Sequence, residues 1–280
     1  MKVSGFTFCR NVVKYDYPVV ESIRSILPIV DELIVNVGRC EDGTLELIRS
    51  IGDPKIRIIE SVWDESLKKG GLIYSQQTNI ALAQCTGDWA VYVQGDEVIH
   101  EQDLPALVRA MQANLDNRSV RGLLFRYLHF MGDYWSLNPW FYHRAVRVVR
   151  NNGEIESCGD AVGFHLKSTS QYLQSGPREW LADSGARMFH YGWVKEPKTM
   201  LAKKREQVTV YTDRLSPADE RQIASEDWVF EEYDILKNFT GAHPAVMRER
   251  VSRFPKLKPD RNRWLEPAFY RAVAKKGFRG

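Results

Sequence analysis

No run of about 18 or more apolar residues occurs anywhere in the 280-residue chain, so the sequence offers no transmembrane helix. The opening residues, MKVSGFTFCRN, hold one lysine and only a short apolar run. They read as a first strand rather than a signal peptide, which points to the cytoplasm. Cysteine is scarce: Cys9, Cys40, Cys85 and Cys158 form no CxxC pair. Zinc-ribbon spacing is therefore excluded, and reduced thiols are expected. A net charge of +3 is too small to argue for nucleic-acid binding. There is no internal repeat and no low-complexity segment. The stretch TFCRNVVK contains no glycine, which counts against the Gly-rich phosphate loop of a nucleotidyltransferase. Of the six histidines, His100, His129, His143, His165 and His243 show no metal-ligand spacing.

What is present is the 44% hydrophobic content of a chain with a real core. In the first hundred residues strand and helix signals alternate. VSGFTFC, DELIVNVG, KIRIIES and WAVYVQ read as strands. PVVESIRSIL, DGTLELIRSIG and SQQTNIALAQCTG read as helices, with Gly52 and Gly87 as stops. This alternation predicts an α/β fold with a mostly parallel central sheet flanked by helices. LPALVRAMQANL is a helix with Asp103 as its expected N-cap. The texture then becomes aromatic and β-like in RGLLFRYLHFMGDYW, FYHRAVRVVRN and ARMFHYGWV. From Pro197 helices are expected over PKTMLAKKREQVTVYT, EDWVFEEYDILKNF and AVMRERVSRF. The expected organisation is one domain over 1–195, split into a nucleotide half (1–100) and an acceptor half (101–195), followed by a helical, basic region over 196–280. The basic end is a solvated tail, or a surface for an anionic membrane or substrate.

In open α/β sheets, ligands bind outside the carboxyl ends of parallel strands. Three such ends carry polar residues here: Thr7, Arg10 and Asn11; Asn36 with Asp42; and Gln94-Gly95-Asp96-Glu97. Asp96 and Glu97 suit a hard cation such as Mg²⁺ or Mn²⁺, which takes carboxylates together with substrate phosphates. Gly95 would let a phosphate-bearing ligand approach the backbone.

The ordered set FTFCRNVVKYDYPVVESIRSIL, IVNVGRCEDGT and QTNIALAQCTGDWAVYVQGDE resembles family 2 glycosyltransferases of the GT-A fold over about residues 3 to 130. The resemblance implies an inverting transfer of a sugar from a nucleoside diphosphate sugar to a saccharide or glycolipid hydroxyl. Its setting would be cell-surface polysaccharide or lipopolysaccharide assembly, in the cytoplasm or at the inner face of the membrane. It also implies a divalent cation. The family's Asp-x-Asp motif falls on Gln94-Gly95-Asp96, with Asp96 kept as metal ligand and Gln94 in place of the first acid. An amide can hydrogen-bond a sugar hydroxyl but brings no charge to a metal, so Glu97 would supply the missing charge. A non-catalytic sugar-nucleotide-binding module is the alternative that Gln94 keeps open. By the same resemblance Thr7, Arg10 and Asn11 line the base and phosphate side, or Arg10 pairs with a surface acid, and Asn36 at its strand end is expected among the donor-binding residues. Asp42 contacts base or ribose, or caps the helix that follows it. The general base is Asp160, preferred over Glu156 and Asp133. His190 binds the metal or diphosphate, or is a hydrogen-bonded core histidine. Lys195, Lys203, Lys204 and Arg205 would meet the diphosphate or lie on a helix surface. The aromatic group Tyr127, Phe130, Tyr134, Trp135, Trp140, Phe141 and Tyr142 offers an acceptor platform or fills the core.

Overall fold

The computed structural model of the chain describes residues 1–211, 217–225, 235–257, 264 and 266–277. The elements β1 (Val3–Cys9), α1 (Val19–Ile26), β2 (Glu32–Gly38), α2 (Thr44–Arg49), β3 (Ile56–Ser61), α3 (Leu72–Leu82) and β4 (Trp89–Tyr92) follow the alternation read from the sequence. β3, β2, β1 and β4 lie side by side in that order, all paired in parallel. Next come β5 (Glu97–Ile99), α4 (Leu104–Ala113) and β6 (Gly122–Met131).

Because successive side chains on a strand face opposite ways, each of these strands feeds two cores. Leu33, Val35 and Val37 of β2 and Trp89 and Val91 of β4 join Ile23 of α1, Ile48 of α2 and Leu107 of α4. The intervening Ile34, Ala90 and Tyr92 meet Ala81 and Leu82 of α3 on the other face. Burial on both faces is why these strands read as continuous apolar runs. Chain order reverses between β1 and β4, so a crevice opens at their carboxyl ends.

The second half is mixed. β7 (Ser136–Leu137), β8 (Arg144–Arg150), β9 (Ile155–Cys158), β10 (Gly163–Leu166) and β11 (Leu181–Trp193) follow. β8 joins β4 to β6 with antiparallel pairings on both sides. β11 runs parallel to β6 and antiparallel to β5. β9 and β10 form a separate hairpin. The chain ends with α5 (Pro197–Tyr211), α6 (Pro217–Ala224), β12 (Lys237–Asn238), α7 (Arg248–Arg253) and α8 (Pro267–Lys276).

Several local expectations change. Asp103 makes no side-chain cap. Its carboxylate instead accepts both the backbone N–H and the guanidinium of Arg187 on β11, at 2.8–3.0 Å. Bidentate pairing with a guanidinium is the stronger interaction, and it takes the oxygens a cap would need. In EDWVFEEYDILKNF, residues 226–234 lie outside the described residues, while Lys237 and Asn238 pair with β7 as a strand. AVMRERVSRF begins as a 3₁₀ turn and is α-helical only over Arg248–Arg253. Part of the basic end is bound within the fold: Arg250 contacts Asp16 at 2.6 Å and Glu21 at 2.8 Å. Residues 258–263 and 278–280 of that end lie outside the described residues. Among the described residues no helix is long and apolar enough to cross a membrane.

Candidate active site

The carboxyl ends of β1 and β4, the β9–β10 loop, the 140–142 segment, the end of β11 and one side of α5 surround a cavity of about 740 Å³. Phe8, Arg10, Trp63 and Tyr74 form one wall. Phe8 stacks on Tyr74 with centroids 5.9 Å apart, and the Arg10 guanidinium lies 5.0 Å over the Trp63 ring. Gly38 is required here, since a Cβ at that position would overlap the Trp63 indole. Trp140, Phe141, Tyr142 and Trp193 line another part. Cys9 also borders the cavity, but burial pushes its thiol up, so it is no nucleophile.

Gln94-Gly95-Asp96 lines the cavity, and the turn is tied down from several sides. The Gln94 N–H donates to Glu97 at 3.1 Å, and Ser22 Oγ donates to the Gln94 carbonyl at 2.8 Å. Gln94 Nε2 donates to the carbonyl of Ala161 at 3.2 Å, which joins the turn to the β9–β10 loop.

Asp96 is 8% exposed, and its Oδ2 lies 3.8 Å from His190 Nε2 and 3.9 Å from Lys203 Nζ. Burial alone would raise its pKa. The neighbouring His190 ring and the Lys203 and Lys195 ammonium groups outweigh that and hold the carboxyl below its usual range, as a carboxylate. Burial lowers the pKa of His190 and of Lys203. Lys203 Nζ also donates to the Gly192 carbonyl at 2.7 Å, which anchors α5 to β11. Gly192 leaves the room: a Cβ there would stand 2.5 Å from Asp96 Oδ2 and 2.9 Å from the His190 ring.

Glu97 is corrected as a metal ligand. It is fully buried and does not line the cavity. Arg147 Nε and Nη2 each donate to it at 2.8 Å, and Tyr127 Oη donates at 2.7 Å. With the Gln94 N–H added, its oxygens are used inside the protein. It braces the turn that presents Asp96.

Arg10, Gln94, Gly95, Asp96, Asp160 and His190 are brought to one cavity. Asp160 stands at the tip of the β9–β10 loop, between Gly159 (φ 59°) and Ala161 (φ 65°). An alanine held at positive φ marks a loop fixed by its surroundings. Arg147 Nη1 bonding to the Val162 carbonyl at 2.9 Å and Gln94 bonding to Ala161 are those surroundings.

Four other expected residues do not line the cavity. Thr7 is wholly buried within β1. Asn11 sits at φ 55°, a left-handed conformation that asparagine tolerates, so its role is in the turn. Asn36 is buried and gives its amide to the Gln77 carbonyl and side chain, each at 2.9 Å. Asp42 accepts from the Thr44 N–H and hydroxyl and from the Lys14 N–H, which fixes the turn into α2, while Gly43 holds the cap position expected for Asp42 as its alternative. Lys195 is buried against the Asp16 carbonyl at 2.8 Å, and Arg205 binds the carbonyls of Ile223 and Ser225. In contrast Lys203 and Lys204 line the cavity. Of the aromatic group, Phe130 and Tyr134 are core, whereas Trp140, Phe141 and Tyr142 line the cavity. Trp63, Tyr74 and His129 were missed. No motif flags them, and only the strand register and loop packing bring them here.

Among the described residues no three His, Cys, Asp or Glu side chains form a metal-binding group. A closed protein site does not fit. A cation held by Asp96 and His190 and completed by substrate phosphate oxygens and water does fit, because hard cations commonly bind in that way.

The chain matches the family model "Glycosyl transferase family 2" over residues 8–172. No curated protein matches it. Among solved structures it is similar to Staphylococcus aureus TarS, with 14% identity and a TM-score of 0.43, over 81% of this chain and 42% of that one. It therefore spans less than half the length of that protein. A TarS 1–349 complex with UDP-GlcNAc is 17% identical, with a TM-score of 0.43, over 81% of this chain and 71% of that one. The mannosyltransferase PcManGT from Pyrobaculum calidifontis, in complex with GDP-Man and Mn²⁺, is 17% identical, with a TM-score of 0.38, over 53% of this chain and 44% of that one. With more than half of its length matched by the family model and an α/β sheet that places its carboxylate at the expected strand end, the chain belongs to glycosyltransferase family 2, enzymes of the GT-A fold.

Proposed function

We propose that this enzyme inverts the anomeric centre as it moves a sugar from a nucleoside diphosphate sugar to a hydroxyl of a saccharide or glycolipid. Assembly of cell-surface polysaccharide or lipopolysaccharide is the setting in which such acceptors occur. The observation that carries the reading is the buried Asp96 carboxylate, with His190 at 3.8 Å and Lys203 at 3.9 Å, on a cavity of about 740 Å³. That volume suits a nucleotide sugar, and a diphosphate is the ligand such a set of charges would meet. Trp63, Phe8, Tyr74 and Arg10 offer flat faces and a cation to the nucleoside. Trp140, Phe141, Tyr142 and Trp193 offer the same to sugar C–H surfaces.

Asp96 and His190 would hold a divalent cation, which when bound neutralises the diphosphate as a Lewis acid. Asp160 takes the proton of the acceptor hydroxyl while that oxygen bonds to the anomeric carbon. The bond from that carbon to the diphosphate oxygen breaks on the opposite side. Lys203 and Lys204, on α5, counter the charge left on the departing diphosphate. Gln94 hydrogen-bonds a donor hydroxyl.

A thermal-shift panel of nucleoside diphosphates, with and without Mn²⁺, tests the reading on wild type, Asp96→Asn and Asp160→Asn. A ligand that binds the folded state raises the melting temperature by mass action. We expect one nucleotide to stabilise wild type and to do so more with Mn²⁺. Asp96→Asn should lose the Mn²⁺ increment. Asp160→Asn should keep binding and lose transfer. Stabilisation by no nucleotide would sink the donor assignment, and full turnover by Asp160→Asn would remove it as base.

A further inference from the structure

β6 and β11 run parallel with His129 and His190 in register, so two imidazoles from strands 61 residues apart meet beside Asp96. Their Nδ1 atoms are 3.3 Å apart, and the other nitrogen of His129, Nε2, is 2.7 Å from the Tyr142 carbonyl oxygen. A carbonyl only accepts, so His129 Nε2 carries a proton. His129 is 3% exposed and packed among Tyr127, Phe141 and Tyr142, and no carboxylate is paired with it among the described residues. A charge buried here with no counter-ion would be costly, so the ring is neutral, and with its proton on Nε2 its Nδ1 is a bare acceptor. The 3.3 Å bond then requires His190 to donate from its own Nδ1. That leaves His190 Nε2 as a lone pair, facing Asp96 Oδ2 at 3.8 Å. Two acceptors face each other beyond hydrogen-bonding distance. Such a pair is arranged for a positive charge between them.

We propose that His129 is a positioning residue: its ring, anchored on the Tyr142 carbonyl, fixes His190 in the Nδ1–H tautomer and turns a bare Nε2 toward Asp96 and the cation site. The inference rests on the reading that Asp96 and His190 hold a divalent cation. It adds the group that prepares His190 to do so. A histidine that ligates a metal through one nitrogen ordinarily donates its other N–H to a fixed acceptor, which sets the tautomer and the ring plane. Here the acceptor is a second histidine. The relay also ties the cation site to the 140–142 segment, which carries three of the aromatic residues lining the cavity.

The test uses the full chain as wild type, His129→Phe and His129→Asn, with folding checked by circular dichroism. Long-range ¹H–¹⁵N spectra of the histidine rings read the tautomer of His190 at pH 8. Mn²⁺ titration followed by electron paramagnetic resonance reads affinity for the ion alone. We expect wild-type His190 to be protonated at Nδ1 and bare at Nε2. His129→Phe should shift it to the opposite tautomer and weaken Mn²⁺ binding about tenfold or more. His129→Asn, whose side-chain oxygen can accept at the same place, should restore most of both signals. Wild-type His190 found protonated at Nε2 overturns the proposal. So does a folded His129→Phe that binds Mn²⁺ as tightly as wild type, which leaves the cation reading intact. Wild type that binds no Mn²⁺ overturns the cation reading itself, and the inference with it.

Discussion

Glu97 and Gly192 show how far neighbouring residues differ in what they do. Glu97 adjoins Asp96 in sequence and looks like its partner, yet its four hydrogen-bond donors are all internal. Glu97→Gln leaves the Arg147 guanidinium buried without a counter-charge, between the rings of Tyr92 and Tyr127. Breaking one side of a buried pair costs about 3–5 kcal/mol. Urea unfolding should show a loss of that size, and a loss below about 1 kcal/mol would contradict the bracing role. Gly192→Ala predicts the converse. Its φ is not in the left-handed region, so the backbone tolerates the change, but the new Cβ presses on Asp96 and His190. We expect transfer to fall about 100-fold, as for a displacement of about 1 Å at a reacting centre, while the melting temperature stays near that of wild type.

At the scale of elements, most strands and helices were legible, because both faces of β1, β2 and β4 are covered and their apolar runs are long. Arg10 and Gln94–Asp96, at two of the strand ends, border the cavity, and Arg10 also pairs with Glu65 at 3.0 Å. Strand position did not tell which side chain at each end faces the cavity, since that depends on strand parity and on what covers each face. Thr7 and Asn36 fell on the wrong side of that choice. The start of α4 misled for a different reason. Asp103 sits where a cap belongs, but Arg187 from β11 takes its oxygens. Asp103→Ala and Arg187→Ala should therefore couple, by about 1 kcal/mol for a partly exposed pair, in a double-mutant cycle. Zero coupling would return Asp103 to a capping role.

For the molecule as a whole, two histidines join distant parts of the chain and make the fold acid-sensitive. His243 binds the Tyr134 carbonyl through Nε2 at 2.8 Å and the Tyr191 hydroxyl through Nδ1 at 2.8 Å, which fastens the loop before α7 to the sheet. Burial lowers its pKa from 6.5 to about 4, as it lowers that of His129 to about 3. Below pH 6.5 the unfolded chain takes up protons that the folded chain refuses. Stability is therefore fully present above about pH 6.5 and declines as pH falls toward 4, by at most about 1.4 kcal/mol per pH unit for each histidine. Urea midpoints at pH 7 and pH 5 should show the decline, and His243→Gln should flatten it. An equal slope in the variant would remove His243 as a cause.

The sequence by itself determined the α/β class, the sheet's parallel half and the position of Asp96 at a strand end. Each follows from local periodicity and from motifs in fixed order. Only the tertiary structure decided that Glu97 belongs to Arg147, that α5 brings Lys203 beside the carboxylate and Lys204 to the cavity wall, and that His129 stands behind His190. These pairings join strands and helices dozens of residues apart. Which side chains meet there is fixed by strand register and by helix docking, and neither leaves a local mark in the sequence.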